Sequence, residues 1–479
     1  MSNIKKAVNG GKWITISTVI STLFQFLQIA VLARILAPAD FGLVSVSNLI
    51  IAFFQVFANL GFSNSIIYKQ ESDRTVLSTL YYLNLLVGLF IFIVIHATKP
   101  YIISFYHEPR LDHVLNLSSY YFVIAYFGQI YMFLLEKELR FKSVAIIDIT
   151  GTIVGSLVTI TMAYSGMHEL SLIIGSLALQ IVKSALQIAL GLRFFVPKLV
   201  FNLKDIQEHL RFGIYNMGEG LLGYIQSNSD NIFLGGLLGV KMLGYYTIAY
   251  QLSIFPIVKL NPIILQVAYP ILAKMKDSIS ALRNSYLKIL DVISYCNMPL
   301  LAGLFITADG VVPLIYGPGW EPTVNLIRIF VFIGLSACLN HPLYIVAFTR
   351  GKPNLLFYLN LGTLIFKIPL VYFLGTHYGL TGIAVAFLIA QVLSTIANFS
   401  IAHHLIGDFV GEFLRNIAKP FLFCLIMVGA VGVYKTLIGD TGLVNVILEI
   451  GLGGLTYVIL TLAYKLSFAQ LKAYQQGML

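Results

Sequence analysis

Long apolar runs separated by short polar segments organise the whole chain. A transmembrane helix needs about 20 mostly apolar residues, and fourteen stretches of the sequence meet that requirement. The predicted spans are 12–35, 40–66, 75–97, 114–135, 143–164, 170–194, 210–238, 242–272, 284–307, 323–348, 354–375, 380–403, 417–437 and 443–465. No segment between them is typical of a soluble domain. The pattern predicts an all-α polytopic membrane protein with about fourteen transmembrane helices.

The polar segments predict how the chain is oriented in the membrane. Of the 31 Lys and Arg residues, 21 lie on the side of the N-terminus, 5 on the other side and 5 within spans. Lys and Arg concentrate on the cytoplasmic side of membrane proteins. We therefore expect a multi-pass protein of a bacterial cytoplasmic (inner) membrane, with both termini in the cytoplasm. Aromatic residues near span ends, Trp13 and Trp320 among them, are predicted to be interfacial anchors.

An internal repeat divides the predicted spans. "ADFGLVSVSNLI" (39–50) aligns with "KMLGYYTIAYQL" (241–252) at an offset of 202, which places Gly42 on Gly244. "KPYIISFYHEP" aligns with "DGVVPLIYGPG" at an offset of 210. Each offset covers six predicted spans, an even number, so both halves keep one orientation in a parallel repeat. The predicted domains are an N-terminal lobe of spans 1–6 (1–195), a C-terminal lobe of spans 7–12 (196–405), and spans 13–14 with a cytoplasmic tail (406–479).

Composition excludes several classes of protein. The chain is 58% hydrophobic and 11% charged, whereas a soluble protein carries about 25% charged residues. The net charge of +10 is spread between apolar runs without a dense basic patch, so nucleic acid is not an expected partner. The three cysteines show no metal-ligand spacing, and we expect neither a metal site nor a cofactor. No Walker pattern or nucleophile elbow occurs, so we expect no enzymatic activity.

Two carboxylates interrupt the seventh predicted span, "GEGLLGYIQSNSDNIFLGG" (218–236). Glu219, Gln226 and Asp230 are 7 and 11 residues apart and therefore share one face of a helix. An ionised carboxylate at the middle of a membrane costs about 2.5–3.5 kcal/mol on insertion scales, which favours a functional role. We predict that Asp230 and Glu219 couple transport to an ion. The alternative is a fixed ion pair between Asp230 and Lys259 that joins spans 7 and 8.

Further polar residues inside spans are candidates for a substrate cavity. Ser17, Ser21 and Gln28 form the matching stripe on span 1, where they either line a central cavity between the lobes or hydrogen-bond to neighbouring helices. The cations of spans 6 and 10 either line that cavity or extend to the membrane surface. The predicted substrate-binding residues are Lys259, Arg34, Asn59, Asn261, Gln28, Arg328 and Lys183.

The N-terminal part of the chain resembles a known family. The resemblance is carried by "ARILAPADFG" at the end of span 1, by "FANLGFSNSIIYK", and by "SDNIFLGGLLGVKMLGYYTIAY" of spans 7 and 8. These segments are similar to bacterial oligosaccharide and polysaccharide flippases of the Wzx-like, colanic-acid-exporter type. That group lies in the multidrug/oligosaccharidyl-lipid/polysaccharide exporter superfamily. The resemblance covers the first twelve spans, and spans 13 and 14 complete the usual fourteen of the family.

The resemblance implies a function. Such flippases have a two-lobed, V-shaped fold and move undecaprenyl-pyrophosphate-linked oligosaccharide repeat units to the outer leaflet by alternating access, for synthesis of lipopolysaccharide or exopolysaccharide. Cations in their cavity face the pyrophosphate, which marks Lys259 first and Arg34 second. The implied partners are the lipid-linked oligosaccharide, membrane lipids, a proton or sodium ion, a polysaccharide polymerase and other proteins of the glycan pathway.

Two other functions compete with this one. An ion-coupled exporter of multiple drugs or amphipathic cations, from the same superfamily, needs an acidic cavity, and this chain carries buried residues of both signs. A non-transporting membrane scaffold for glycan enzymes is expected to carry interaction domains, and the sequence predicts none. The N-terminal resemblance favours the flippase.

Overall fold

The computed structural model describes residues 3–58, 66, 71–273, 275, 278–439 and 442–465, except for a few side chains within helices, Glu219 among them. These residues form thirteen α-helices and one short 3-10 helix, and contain no strand. The α-helices are α1 (Asn3–Leu32), α2 (Pro38–Ala58), α3 (Arg74–Tyr106), α4 (Leu111–Lys137), α5 (Phe141–Tyr164), α6 (His168–Gly191), α7 (Gln207–Leu238), α8 (Val240–Ala273), α9 (Ile279–Tyr316), α10 (Pro322–Thr349), α11 (Asn354–Ile406), α12 (Val410–Ile438) and α13 (Leu443–Lys465).

The helices have the lengths that the apolar runs predict. Eleven of them, within the described residues, are long and apolar enough to cross a membrane; α7 and α8 are outside that set. Helix α11 has 53 residues and would measure about 80 Å if straight, far more than one bilayer crossing. It contains two predicted spans, and the backbone leaves the helical region between them at Gly379 (φ 60°, ψ −140°). The prediction of an all-α polytopic membrane protein is confirmed.

The chain separates into two compact units, Met1–Gly244 and Tyr245–Leu479. The first unit contains α1 to α7, and it includes α7 because that helix packs along α2. Tyr224 of α7 donates its hydroxyl to the carbonyl oxygen of Leu49 at 2.9 Å. The lobes predicted with boundaries near residues 195 and 405 stay a prediction.

Within the first unit, two glycines bring α2 and the start of α8 into backbone contact. A Cβ atom on Gly42 would lie 1.8 Å from the carbonyl oxygen of Val240, and one on Gly244 would lie 1.8 Å from that of Pro38. Glycine alone lacks the Cβ atom that would prevent this approach. The two contacts are reciprocal, and they match the offset of 202 that the sequence predicts for the repeat.

Helices α5 and α6 also meet through small residues. A Cβ atom on Gly175 would lie 1.7 Å from Oγ1 of Thr159, and one on Gly155 would lie 3.0 Å from the carbonyl oxygen of Gly175. Small residues at such spacings let transmembrane helices approach closely. The close approach brings Asp148 of α5 beside Lys183 of α6.

In the second unit, α12 and α13 pack against α9. Met298 of α9 belongs to a buried apolar cluster with Cys424, Met427 and Tyr457. The Tyr457 hydroxyl donates to the carbonyl oxygen of Tyr295 at 3.1 Å. The cluster and this hydrogen bond connect the last two helices to the remainder of the unit.

One predicted membrane anchor has a different environment. Trp320 is buried, with an exposed fraction of 1%, and its ring meets that of Tyr245 edge to face at 5.8 Å. It also lies 5.8 Å from the ring of Tyr316. The prediction that Trp320 anchors the chain at the membrane interface is therefore wrong, because its side chain fills the interior near the start of α10.

Candidate functional site

Two of the four predicted substrate cations are paired with carboxylates inside their own unit. The Nζ atom of Lys183 lies 2.6 Å from Oδ1 of Asp148, and both side chains are mostly buried. In the second unit, Nη2 of Arg328 donates to Oδ2 of Asp309 at 2.6 Å. Each pair keeps a lysine or arginine charge balanced within a helical bundle.

The Arg328 pair is part of a longer row of charges. Lys435 of α12 lies 3.8 Å from Oδ2 of Asp309 and 3.6 Å from Oε2 of Glu449. Glu449 of α13 is fully buried. Cations and carboxylates therefore alternate across α10, α9, α12 and α13.

Lys259 and Asn261, predicted to act together, lie on different faces of α8. Lys259 is half-buried and follows the exposed residues Phe255 and Val258. It forms no ion pair with any described residue of the second unit, to which it belongs. Asn261 is fully buried, since two residues along a helix turn the side chain by about 200°.

Asn261 is the centre of a buried hydrogen-bond network. Its Nδ2 donates to Nδ1 of His341 at 3.0 Å, and its Oδ1 accepts from Nδ2 of Asn297 at 2.9 Å. The network joins α8, α9 and α10. Sequence reasoning missed Asn297 and His341, although an asparagine and a histidine inside predicted spans are a signal for such a network.

The polar stripe of α1 is directed at α5. Ser156 donates its hydroxyl to Oε1 of Gln28 at 2.7 Å, and Ser17 donates to the carbonyl oxygen of Ala145 at 3.4 Å. These are the helix-to-helix hydrogen bonds of the alternative interpretation. The role of Gln28 in substrate binding stays a prediction.

The remaining predicted residues are less informative. Arg34 is exposed at the C-terminal end of α1. Asp230 on α7 is buried, with an exposed fraction of 1%, and its ion-coupling role stays a prediction, as does its pair with Lys259. Asn59 and the side chain of Glu219 lie outside the described residues.

An aromatic cavity in the first unit was not predicted. It lies between α2, α3 and α7, has a volume of about 590 Å³, and is open on one side. Its aromatic lining residues are Phe53, Phe54, Tyr101, Phe105, Tyr106 and Tyr224. Single aromatic residues near span ends are typical of interfacial anchors, and only the packing of three helices shows that these rings enclose a space.

Two of the four hydroxyls that line this aromatic cavity are used by backbone carbonyls. The Tyr224 hydroxyl donates to the carbonyl oxygen of Leu49, and the Thr98 hydroxyl donates to that of Val94 at 2.8 Å. The rings of Phe53 and Tyr224 meet edge to face at 5.5 Å, which holds them in place. The cavity is therefore suited to an apolar ligand rather than to one that requires many hydrogen bonds.

A buried lysine of the second unit was not among the predicted site residues. Lys367 of α11 has an exposed fraction of 2%, and its Nζ lies 4.2 Å from the centre of the Phe387 ring. An ammonium over an aromatic face is stabilised by the ring quadrupole. Phe387 lies in the second predicted span of α11, beyond Gly379, so the backbone turn creates this contact.

Comparison with known proteins agrees with these observations. Residues 31–325 match the model of a family described as "Polysaccharide biosynthesis protein". The lipopolysaccharide biosynthesis protein WzxC of Escherichia coli strain K12 is 29% identical over 426 residues, which cover 89% of this chain and 87% of that protein. The teichuronic acid biosynthesis protein TuaB of Bacillus subtilis strain 168 is 28% identical over 428 residues, 88% of each chain.

The fold is also that of a solved membrane protein. The structure of the lipid II flippase MurJ in an inward closed conformation aligns with a TM-score of 0.75 at 14% identity. The alignment covers 94% of this chain and 98% of MurJ, so the likeness extends over nearly all of both folds. Since the family match spans more than half of the sequence, this multi-pass membrane protein belongs to the polysaccharide biosynthesis protein family.

Proposed function

We propose that this protein moves a lipid-linked oligosaccharide from the inner to the outer leaflet of the cytoplasmic membrane, by alternating access, for the synthesis of a surface polysaccharide. The observation that carries the proposal is the combination of the family match with a fold shared along almost the whole chain with a lipid II flippase. Relatives named for lipopolysaccharide and teichuronic acid synthesis support a role in a glycan pathway.

The aromatic cavity of the first unit holds part of the isoprenoid chain in this proposal. The lining is made of aromatic and aliphatic side chains, and the hydroxyls of Tyr224 and Thr98 are used by backbone carbonyls. Tyr101 and Phe105 at its edge are exposed, by 77% and 49%, so the cavity can be entered from the surface. A hydrocarbon chain that moves from lipid into such a space loses no hydrogen bonds and keeps its van der Waals contacts.

Lys259 contacts the pyrophosphate in this proposal. Among the predicted cations, Lys183 and Arg328 are balanced by carboxylates at 2.6 Å, whereas Lys259 has no ion pair with a described residue of its own unit. A half-buried ammonium without a nearby carboxylate is suited to an anion. Export should be abolished by Lys259→Ala and partly kept by Lys259→Arg, since the charge remains but its hydrogen-bond geometry changes.

A control on the same helix tests whether that loss is specific. The control residue is Lys241, which is exposed at the start of α8. Lys241→Ala should export normally. Equal export by Lys259→Ala and the wild type, at equal protein levels, would remove Lys259 from the site.

Depletion of the protein tests the function itself. Lipid-linked repeat units should accumulate on the cytoplasmic leaflet while surface polysaccharide is lost. Loss of polysaccharide without accumulation would favour a scaffold for glycan enzymes. Normal polysaccharide together with new sensitivity to amphipathic cations would favour a drug exporter and contradict the proposal.

Filling the aromatic cavity tests the isoprenoid assignment. Ile102 of α3 lines the cavity, whereas Ile93 of the same helix is 56% exposed and lies outside it. Ile102→Trp should reduce export at least tenfold, and Ile93→Trp should leave it unchanged. Equal export by both variants would separate the aromatic cavity from transport.

The coupling role of Asp230 is proposed separately. Asp230 is almost fully buried on α7, and a group whose surroundings change during transport changes its affinity for a proton or cation. Asp230→Asn should fold and insert but transport without dependence on the ion gradient. A variant that keeps the wild-type dependence on the gradient would exclude this role.

A further inference from the structure

A second cavity lies in the second unit, between α9, α10 and α12. This cleft has a volume of about 260 Å³ and only apolar side chains line it. Phe332 of α10 and Phe421 and Leu425 of α12 flank its opening and are 49%, 51% and 53% exposed. Because exposed apolar residues on a transmembrane helix face lipid, the cleft opens towards the hydrocarbon of the membrane.

Each wall of the cleft continues into a charged residue at the same end. Asp309 follows Phe305 by one helical turn on α9, and Arg328 precedes Val331 by one turn on α10. On α12, Lys435 lies two turns beyond the last lining residue. Residues at these spacings share a helix face, so the three charges converge where the apolar walls end.

The depth of these charges corresponds to lipid head groups. At about 1.5 Å per residue, the 28 residues of α10 span about 42 Å, close to the thickness of a bilayer with its head groups. Arg328 is six residues from the start of α10, so it lies about 9 Å along the helix, near the border of head groups and hydrocarbon. The cleft then lies at the depth of acyl chains.

The exposed charges form one cation beside one anion. Arg328 and Asp309 are 37% and 39% exposed, whereas Lys435 and Glu449 are 13% and 0% exposed behind them. Arg328, through its Nη2 atom, and Lys435 both contact Oδ2 of Asp309. A guanidinium carries five N–H donors, so Arg328 has donors to spare for a second oxygen ligand.

This charge pattern selects among head groups. A phosphate next to a primary ammonium is complementary to an arginine next to an aspartate. A head group with a phosphate and no cation meets repulsion from Asp309. A quaternary ammonium has no N–H to donate to a carboxylate oxygen.

We propose that the cleft binds one phospholipid of the phosphatidylethanolamine type. The acyl chain fills the apolar cleft, the phosphate binds Arg328, and the ammonium binds Asp309. This site is separate from the aromatic cavity of the first unit, and its occupant is a membrane lipid rather than the transported substrate. It assigns Arg328 to a resident lipid, in place of the substrate role that the sequence predicts.

Native mass spectrometry of the full-length protein tests the proposal. The protein is purified from vesicles of equal parts phosphatidylethanolamine, phosphatidylglycerol and phosphatidylcholine, and retained lipids are counted. The wild type should retain one phosphatidylethanolamine at least tenfold above the other two lipids. Retention of the three lipids in their bulk ratio would overturn the proposal.

Two matched variants separate the cleft from the general lipid surface. Ala302 lines the cleft, so Ala302→Phe fills it, whereas Ala397 of α11 is exposed elsewhere in the same unit. Ala302→Phe should retain at least tenfold less lipid, and Ala397→Phe should match the wild type. Equal retention by the two variants, each monodisperse on size exclusion, would show that the cleft holds no lipid.

The charge variants test the head-group assignment. Asp309→Asn removes the partner of the ammonium and should shift the preference at least fivefold towards phosphatidylglycerol. Arg328→Gln should lower retention of both lipids, because the phosphate loses its donor. An Asp309→Asn variant with the wild-type preference would contradict the assignment of ethanolamine. Because lipid retention is measured without transport, these results do not depend on the proposed flippase function.

Discussion

The contacts that join the helices differ between the two units, although an ion pair between Lys183 and Asp148 also joins α5 and α6 of the first unit. In the first unit, glycines allow backbones to touch, as Gly42 does with Val240 and Gly175 with Gly155. In the second unit, a row of alternating charges joins α10, α9, α12 and α13, and an amide–imidazole network joins α8, α9 and α10. Contacts of the first kind depend on shape, whereas those of the second kind depend on ion pairing and hydrogen bonding.

The predicted internal repeat accounts for only part of these contacts. In the predicted repeat the order and orientation of the spans are the same in both halves, and the reciprocal contacts of Gly42 and Gly244 match its offset. The charge row is not part of that repeat, because α12 and α13 correspond to predicted spans 13 and 14, which follow its second half. Variants that act on shape should therefore have their largest effects in the first unit, and variants that act on charge should distinguish the two units.

The largest effect is expected for Gly42→Ala. Its Cβ would lie 1.8 Å from a backbone oxygen that cannot rotate away, so the free energy of unfolding should fall by about 3 kcal/mol, the upper end for overpacking. Gly334→Ala in the second unit meets the end of the Ile257 side chain at 2.9 Å and should cost about 1 kcal/mol. Equilibrium unfolding in detergent measures both.

Gly223→Ala is the control for this pair. No atom lies within 4 Å of a Cβ at that position of α7. Its stability should equal or slightly exceed that of the wild type, because alanine favours a helix more than glycine does. If Gly42→Ala proved as stable as Gly223→Ala, the backbone contact between α2 and α8 would not exist.

The ion pairs should show the next largest difference. Lys183→Met leaves Asp148 without its cation and should lower stability by about 1–2 kcal/mol, below the cost for a fully buried pair because both groups are partly exposed. Arg328→Met should cost less than about 1 kcal/mol, since Lys435 remains 3.8 Å from Asp309. Thermal unfolding in detergent, without added lipid, provides the comparison.

A double variant checks the cause of the first loss. Lys183→Met combined with Asp148→Leu should recover most of the stability, because no uncompensated carboxylate remains. Equal losses of stability for Lys183→Met and Arg328→Met would show that Lys435 does not compensate for the loss of Arg328.

The loss of a buried amide hydrogen bond should also cost different amounts of stability in the two units, but the difference should be smaller. Asn297→Ala leaves Oδ1 of the fully buried Asn261 without its donor, at a cost of about 1–2 kcal/mol. Asn84→Ala in the first unit removes a donor 3.1 Å from Gln129, which is only half-buried, and should cost about 0.6 kcal/mol. Denaturant titrations of the two variants measure the difference, and a larger loss for Asn84→Ala would reverse the interpretation.

The smallest effect on stability is expected for the N-terminal caps of α3 and α9, two helices that correspond in the predicted repeat. Helix α3 begins after Asp73, whose Oδ1 accepts from the backbone N–H groups of Thr75 and Val76, and helix α9 begins after Ser278. These hydrogen bonds lower the pKa of Asp73 below its ordinary value. The cap therefore stabilises the native state above about pH 4 and is lost as the pH falls through the lowered pKa.

Replacing Asp73 by serine, the cap residue of α9, tests whether the carboxylate causes this pH dependence. Asp73→Ser should remove a small decline in stability below about pH 4 and leave stability near pH 7 almost unchanged. Stability measured against pH for the wild type and the variant checks the prediction. Identical profiles below pH 4 would show that the Asp73 cap does not contribute to pH dependence.

The sequence by itself determined the fold class and the family. Length and apolarity of each run decide whether a segment forms a transmembrane helix, and both are local properties. The 202-residue offset could also be read from the sequence, because Gly42 and Gly244 align at it. Both positions require glycine, since two backbones touch there. The family match rests on linear motifs within residues 31–325.

Only the tertiary structure decided which groups meet. Arg328 and Asp309 are 19 residues apart on different helices, and their 2.6 Å contact depends on how α9 and α10 are rotated about their axes. The aromatic cavity and the α9–α10–α12 cleft each need three helices to enclose them. Rotation and packing depend on contacts between distant segments, so the same apolar pattern is compatible with a paired cation, an exposed cation or one that binds lipid.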